Sequence, residues 1–388
     1  MTIVTVIIFL IVLAVLIFVH ELGHFLAARA CGIRVDSFKI GFGPKMISWR
    51  SKNQESWLGG TEYGINWIPF GGYVKIYGEN GELSELPADA AKTRGLRGLS
   101  LVHKNRWQQA IVLVAGVLGN FIFAWLLYTI IFTAGVAVST DSFSQYASRF
   151  QNQRVMITDV ISGSPADKAG LVAGDAIGCL SVNGQQGGDK CEIDSAEQVQ
   201  AFIANIVKGQ SVEIDYGNGR GPAKSVNVVP VTGLVPGKYA IGIAMDDAAD
   251  LRLPIWSAAW AGLEYTGELI KETVVGLYTF IANIFVGHPD FSQVAGPIGI
   301  AGIVGNAADL GFTYLLMITA IISINLGVIN LVPFPALDGG RILFVAIEGV
   351  IRRRISPKFT NAVNTVGFVL LMILMVAVTY KDIAKLVK

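Results

Sequence analysis

Four stretches of this chain are apolar on every side rather than alternating apolar with polar positions. They run from about Thr2 to Ala30, Trp107 to Val136, Phe312 to Val332 and Phe359 to Tyr380. Each reaches the ~20 residues that cross a ~30 Å hydrocarbon core at ~1.5 Å per residue, so all four read as membrane helices. A cleaved leader is the other reading of the first stretch. It lacks a basic start, carries no charge before His20, and runs straight into charged residues that look functional. Residues 254–287 are also apolar, but Glu264, Glu268, Lys271 and Glu272 interrupt them. The pattern there predicts an amphipathic helix lying on the membrane or against the other helices. Between about Arg154 and Met245 the chain changes to short runs separated by turn residues, as in a strand-rich domain.

Composition agrees with lipid as a solvent for part of the chain. Of 388 residues 52% are hydrophobic and only 15% charged, against about 25% charged in ordinary soluble proteins. A net charge of +1 gives no reason to expect a nucleic-acid partner. Lysine and arginine orient the loops. Arg34, Lys39, Lys45 and Arg50, then Arg94, Arg97, Lys104 and Arg106, flank the first two spans, and Arg341 and Arg352 to Arg354 follow the third. Both loops therefore read as cytoplasmic, with the N-terminus, residues 137–311 and the C-terminal tail outside; Lys381, Lys385 and Lys388 in that tail run against this scheme. Cys179 and Cys191 both fall in the strand-rich segment and would be free to pair in an oxidising compartment.

The first span ends in His20-Glu21-Leu22-Gly23-His24, the H-E-x-x-H pattern. Positions i and i+4 share a helix face, so His20 and His24 can offer imidazoles to one tetrahedral zinc. Glu21 is placed to take a proton from a water molecule that the metal polarises. Three ionisable groups within five membrane positions need a shared partner, and a cation is the simplest one. A third ligand is required. Asn330-Leu331-Val332-Pro333-Phe334-Pro335-Ala336-Leu337-Asp338-Gly339-Gly340 supplies Asp338, on the same side of the membrane as His24. Its prolines interrupt the helix and its glycines permit a tight turn. His103 and His288 are the other candidate ligands, without a motif around them.

With Phe70-Gly71-Gly72-Tyr73-Val74, Ala115 to Phe121 and Gly296-Pro297-Ile298-Gly299-Ile300, these motifs cover nearly the whole chain. Together the chain resembles the site-2 protease family of intramembrane zinc metalloproteases, and its bacterial regulator-of-sigma-E branch in particular. The resemblance implies one zinc per chain, held by His20, His24 and Asp338, with Glu21 as general base. It also implies that Asn330 holds the substrate backbone, on a segment shaped by Pro333 and Pro335. The stretch from Glu62 to Tyr77, with Gly71, Gly72 and Tyr73, would form a membrane-dipping hairpin that pairs with an unwound substrate.

In the strand-rich segment, Val160 to Leu171 with Ser164, Pro165 and Gly170 places a capped short helix, and Asn183-Gly184 suits a tight hairpin turn. This resembles a circularly permuted PDZ domain, in which Ile241, Gly242 and Ile243 would border the peptide groove. The expected fold is thus an α-helical polytopic membrane protein of about four spans. It would carry a membrane-associated β-hairpin and an inserted α+β PDZ-like domain over residues 154–245. Residues 1–137 and 246–388 would form the two parts of the protease core. The implied activity is hydrolysis of transmembrane segments of single-span proteins, such as anti-sigma factors or remnant signal peptides, after trimming by another protease. The expected setting is the bacterial inner membrane, with the active site near the cytoplasmic side. A non-catalytic PDZ adaptor has no use for Glu21, and a metal transporter would need a paired repeat of interrupted helices, which is not seen.

Overall fold

The computed structural model describes residues 2–51, 58–79, 98–182, 185–186, 193, 195–207, 209–217, 224–235, 238–287 and 294–387. The Asn183-Gly184 turn, Cys191 and His288 lie outside them. The chain forms two compact units, residues 1–131 with 257–388, and residues 132–256.

In the first unit, helix α1 (Ile3–Ala30) starts where the Thr2 hydroxyl accepts the Thr5 N–H at 3.2 Å. It stops just before Gly32, whose φ of 64° suits a helix C-terminus. Val12, Leu16, His20, His24 and Ala28 are buried, one stripe at a spacing of four. Strands β1 (Val35–Arg50) and β2 (Glu62–Ile76) follow. Residues 35–40 pair on one side with 72–76 and on the other with 62–65, while 45–50 pairs with 62–66. The stretch from Glu62 therefore does not close on itself as a hairpin. It bends, and its two halves flank β1 in a four-stranded arrangement. Gly41, Gly43 and Gly71, at φ of 84°, 84° and 87°, permit the bends. Met46, Ile47, Trp49, Trp67 and Ile68 stay exposed on this sheet, the kind of apolar patch that marks a membrane or protein contact.

Helix α2 (Arg106–Ala134) packs on α1 through small residues. A Cβ on Gly23 would stand 2.1 Å from the Ala115 carbonyl oxygen, and one on Gly119 would stand 3.0 Å from that of Val19. Only glycine lets the two backbones approach so closely.

In the second unit, strand order is β3-β11-β4-β5-β7-β8, with β6 beside β5. The ranges are β3 Val136–Ser139, β4 Phe150–Val160, β5 Ala176–Val182, β6 Gln185–Gln186, β7 Val212–Gly217, β8 Lys224–Val228 and β11 Ile243–Leu251. A separate pair, β9 (Val231–Val235) and β10 (Lys238–Ala240), precedes β11. Helix α3 (Pro165–Lys168) is capped by the Ser164 hydroxyl, which accepts the Asp167 N–H at 3.2 Å. With α4 (Ala196–Ala204) it covers a core that includes Val155, Ile157, Leu180, Ile203 and Ile214. Cys179 is disulfide-bonded, whereas Cys31 in the first unit is free.

Helix α5 (Ile255–Val286) is the region read as a helix on the membrane or against the other helices. It packs along α2, where the Trp125 indole N–H donates to the Ala259 carbonyl at 2.8 Å. Its Thr273 hydroxyl donates to Asn325 at 3.1 Å. Five described helices, including this one, are long and apolar enough to cross a membrane, one more than the four expected. The charges that argued against it fall at i, i+4, i+7 and i+8, on one exposed flank, which leaves the other faces apolar.

Helix α6 (Pro297–Leu310) follows, then α7 (Phe312–Leu331), α8 (Asp338–Ile351) and α9 (Pro357–Val387). The Gly296-Pro297-Ile298-Gly299 motif is the start of α6. There the buried Asp382 carboxylate of α9 accepts the Gly299 N–H at 2.8 Å, at the positive end of the helix dipole. Lys381, which ran against the charge rule, donates to the Val294 carbonyl at 2.9 Å.

Candidate metal centre

Residues 318 positions apart meet at the end of α1. His20 Nε2 lies 3.0 Å from Asp338 Oδ2, His24 Nε2 lies 3.2 Å from the same oxygen, and the two Nε2 atoms are 3.3 Å apart. Among the described residues this is the one group of three or more His, Cys, Asp or Glu side chains close enough to share a metal ion. Tetrahedral zinc with ligand bonds of ~2.0–2.1 Å has neighbouring ligand atoms about 3.3 Å apart. The observed triangle is that size, and two imidazoles with one carboxylate suit zinc. Each imidazole turns its other nitrogen to α2. His24 Nδ1 is 2.8 Å from the Val112 carbonyl oxygen, and His20 Nδ1 is 3.2 Å from the Asn120 side-chain amide.

Local structure explains why these residues converge. His20 and His24 lie one turn apart on the buried stripe of α1. Gly116 of α2 faces His24 so closely that a Cβ there would stand 2.3 Å from Nε2. Asp338 opens α8 after the break set by Pro333 and Pro335. Ala336 in that break takes φ of 73°, a left-handed conformation that is rare for alanine. A Cβ on Gly339 would stand 2.2 Å from the Val332 carbonyl oxygen, and one on Gly340 would stand 2.3 Å from that of Phe334. The double glycine is what allows the chain to turn tightly behind the carboxylate.

Glu21 sits beside the triangle, with its side chain against the strand at Gly72. Strand residues 72–76 thus run past the centre. Gly72 packs on Ile17 and on the Glu21 side chain, and a Cβ there would collide with Ile17 at 2.7 Å. Gly71 forms the bend against the Phe42 ring, and Tyr73 stacks on Phe42 at 6.3 Å. Asn330 lies half-buried in the last turn of α7, and its amide makes no hydrogen bond among the described residues. Arg341, one turn into α8, pairs with Glu79 just past β2. His103 belongs to a short 3₁₀ turn before α2 and is not in the cluster.

The model of peptidase family M50 matches residues 8–374 of this sequence. The chain belongs to this family, the site-2 proteases, and is a metalloprotease. Curated relatives align over nearly the whole length. A Clostridium perfringens protein is 34% identical, covering 96% of this chain and 97% of its own. One from Mesorhizobium japonicum is 31% identical, covering 97% of each. One from Synechocystis is 34% identical, covering 96% of this chain and 92% of its own. All three are provisionally named zinc metalloproteases. Together with five long apolar helices, membership of M50 makes the chain a multi-pass membrane protein.

In the second unit a cleft of about 570 Å³ lies between α4 and residues 238–245. Gly242, at φ of 86°, and Ile243 border it, with Glu197, Gln200 and Lys238 at its walls. Ile241 lines the cleft as well, with its side chain 1% exposed and packed into the core of the unit.

The sequence reading quoted Gly116 and Asn120 only as part of the Ala115–Phe121 motif and gave no role to the residues behind the two histidines. Val112, Gly116 and Asn120 recur every four residues along α2, and that spacing was the available signal. It went unused because only the fold shows which helix lies behind the histidines.

Proposed function

We propose that the protein is an intramembrane zinc endopeptidase that cuts membrane-spanning segments of single-span proteins. The observation that carries this reading is the triangle of His20, His24 and Asp338, of a size that suits zinc, with Glu21 beside it on a membrane-length helix. Bound by these three residues, zinc would supply Lewis acidity toward the scissile carbonyl and toward water. Glu21 takes the proton of the attacking water and returns it to the leaving amine. Its side chain lies against Gly72, beside both the centre and the strand.

A transmembrane helix hides its peptide bonds, so the substrate must unwind at the site. Residues 72–76 border the centre and would pair with the unwound segment, which supplies hydrogen-bond partners to its freed backbone. Gly71, Gly72 and Tyr73 shape that strand. Asn330, whose amide makes no hydrogen bond among the described residues, would hold the substrate backbone from the other side, on the segment bent by Pro333 and Pro335. Substrates already trimmed outside, such as anti-sigma factors or remnant signal peptides, are the class that the family resemblance supports.

The second unit is proposed to be a PDZ-like domain outside the membrane, with the cleft at Gly242 and Ile243 as its groove. The disulfide at Cys179 and free Cys31 are consistent with an oxidising compartment around this unit and a reducing one around the other. The basic loops support a cytoplasmic position for the metal centre in a bacterial inner membrane.

The test is cleavage of a single-span reporter in detergent by wild type, by chelator-treated protein, and by Glu21→Gln. The substitution is expected to remove at least ~10²-fold of the rate while zinc stays bound. Cleavage that persists in Glu21→Gln would refute the general-base role.

A further inference from the structure

We propose that Asn120 is a positioning residue for the metal: its amide oxygen accepts the Nδ1 proton of His20 and so leaves Nε2 free to ligate. The inference rests on the reading that His20, His24 and Asp338 hold zinc.

A neutral imidazole has one proton, so ligation through Nε2 puts that proton on Nδ1. In a dry site it needs an acceptor. For His24 the acceptor is the Val112 carbonyl at 2.8 Å, an atom that can only accept. For His20 the group at Nδ1 is the Asn120 amide, whose Nδ2 stands at 3.2 Å; a half-turn of the amide, which exchanges its nitrogen and oxygen, puts Oδ1 there instead. If the amide presented its NH₂, Nδ1 would have to accept and the proton would sit on Nε2. That nitrogen lies 3.3 Å from His24 Nε2 and 3.0 Å from Asp338, and a protonated Nε2 has no lone pair for a metal. With the oxygen toward His20, it receives the imidazole proton and the ligating tautomer is fixed.

Asn120 is well placed for this task. It is 0% exposed, and its backbone carbonyl accepts the hydroxyl of Ser323, also 0% exposed, at 2.9 Å. Ser323 belongs to α7, the helix that leads to Asp338, so the group behind one ligand is anchored to the element that delivers another. Along α2, Val112, Gly116 and Asn120 stand at i, i+4 and i+8 on one face. They present a carbonyl to His24, bare backbone to the His24 ring, and an amide to His20.

The test is zinc affinity of the full-length protein in detergent, measured by competition with a chelator, alongside the melting temperature of the metal-free forms. Asn120→Ala and the near-isosteric Asn120→Leu lack the acceptor and are expected to bind zinc roughly 10- to 100-fold more weakly. Asn120→Asp can only accept and is expected to stay within about threefold of wild type on the same grounds. Metal-free melting of at least one acceptor-free variant should match wild type. Wild-type affinity in the Ala and Leu variants, or a loss in Asn120→Asp as large as theirs, overturns the assignment. A wild type that binds zinc tightly while the variants are unaffected overturns this inference alone. A wild type without a tight zinc site overturns the ligand set as well.

Discussion

Gly116→Ala adds a single methyl group, and the structure gives its cost. The new Cβ would stand 2.3 Å from His24 Nε2, 2.7 Å from Cε1 and 2.8 Å from Cδ2. Ordinary contact begins near 3.4 Å, so the ring must move by about 1 Å or α2 must withdraw by as much. Metal–ligand distances tolerate only ~0.2 Å, and a ~1 Å misplacement at a reacting centre costs on the order of 10²-fold in rate. Helix propensity works the other way, since Ala is favoured over Gly by ~1 kcal/mol in a helix. The expected variant is therefore folded, weak in zinc, and about 10²-fold slower on a single-span reporter. Gly302→Ala is the control, because a Cβ there meets nothing within 4 Å. Zinc content, metal-free melting and initial cleavage rate would be measured together. A Gly116→Ala protein with wild-type zinc and turnover would refute the claim that α2 is a closely fitted backing for His24.

Two further predictions concern stability. Asp382→Ala should lower the melting temperature in detergent, because it leaves the start of α6 without its buried carboxylate. The loss should be about 1–2 kcal/mol, smaller in Asp382→Asn, and equal melting of all three would refute it. In the second unit, burial pushes the Asp250 carboxyl up, but hydrogen bonds from Arg154 and Asn152 outweigh it and hold the group below its ordinary value. A depressed folded value means the contribution is present above the unfolded value of ~3.9 and fades as pH falls through the folded one. Asp250→Ala should therefore cost up to ~1 kcal/mol at pH 7, as for a partly exposed pair. The gap between variant and wild type should narrow toward pH 3, and a constant gap in thermal melts across that range would refute the linkage.

The sequence by itself determined the chemistry at this centre. A histidine pair at helical spacing with a glutamate between them, in a span with no charge before His20, points to a shared cation. An aspartate among prolines and glycines at another span's end is legible as a candidate third ligand for the same reason. The apolar runs likewise fixed most of the long helices. Residues 254–287 were harder, because a count of charges does not reveal that Glu264, Glu268, Lys271 and Glu272 share one flank and leave the other faces free for α2 and lipid. Nor does the spacing of Gly71 and Gly72 tell that β2 bends to place its halves on opposite sides of β1, since long-range pairing decides that register. The backing of the ligands was decided by tertiary structure alone. Val112 contributes a backbone carbonyl, Gly116 the absence of a side chain and Asn120 an amide. None of these carries a chemical signature until the packing of α1 on α2 turns them toward the two histidines.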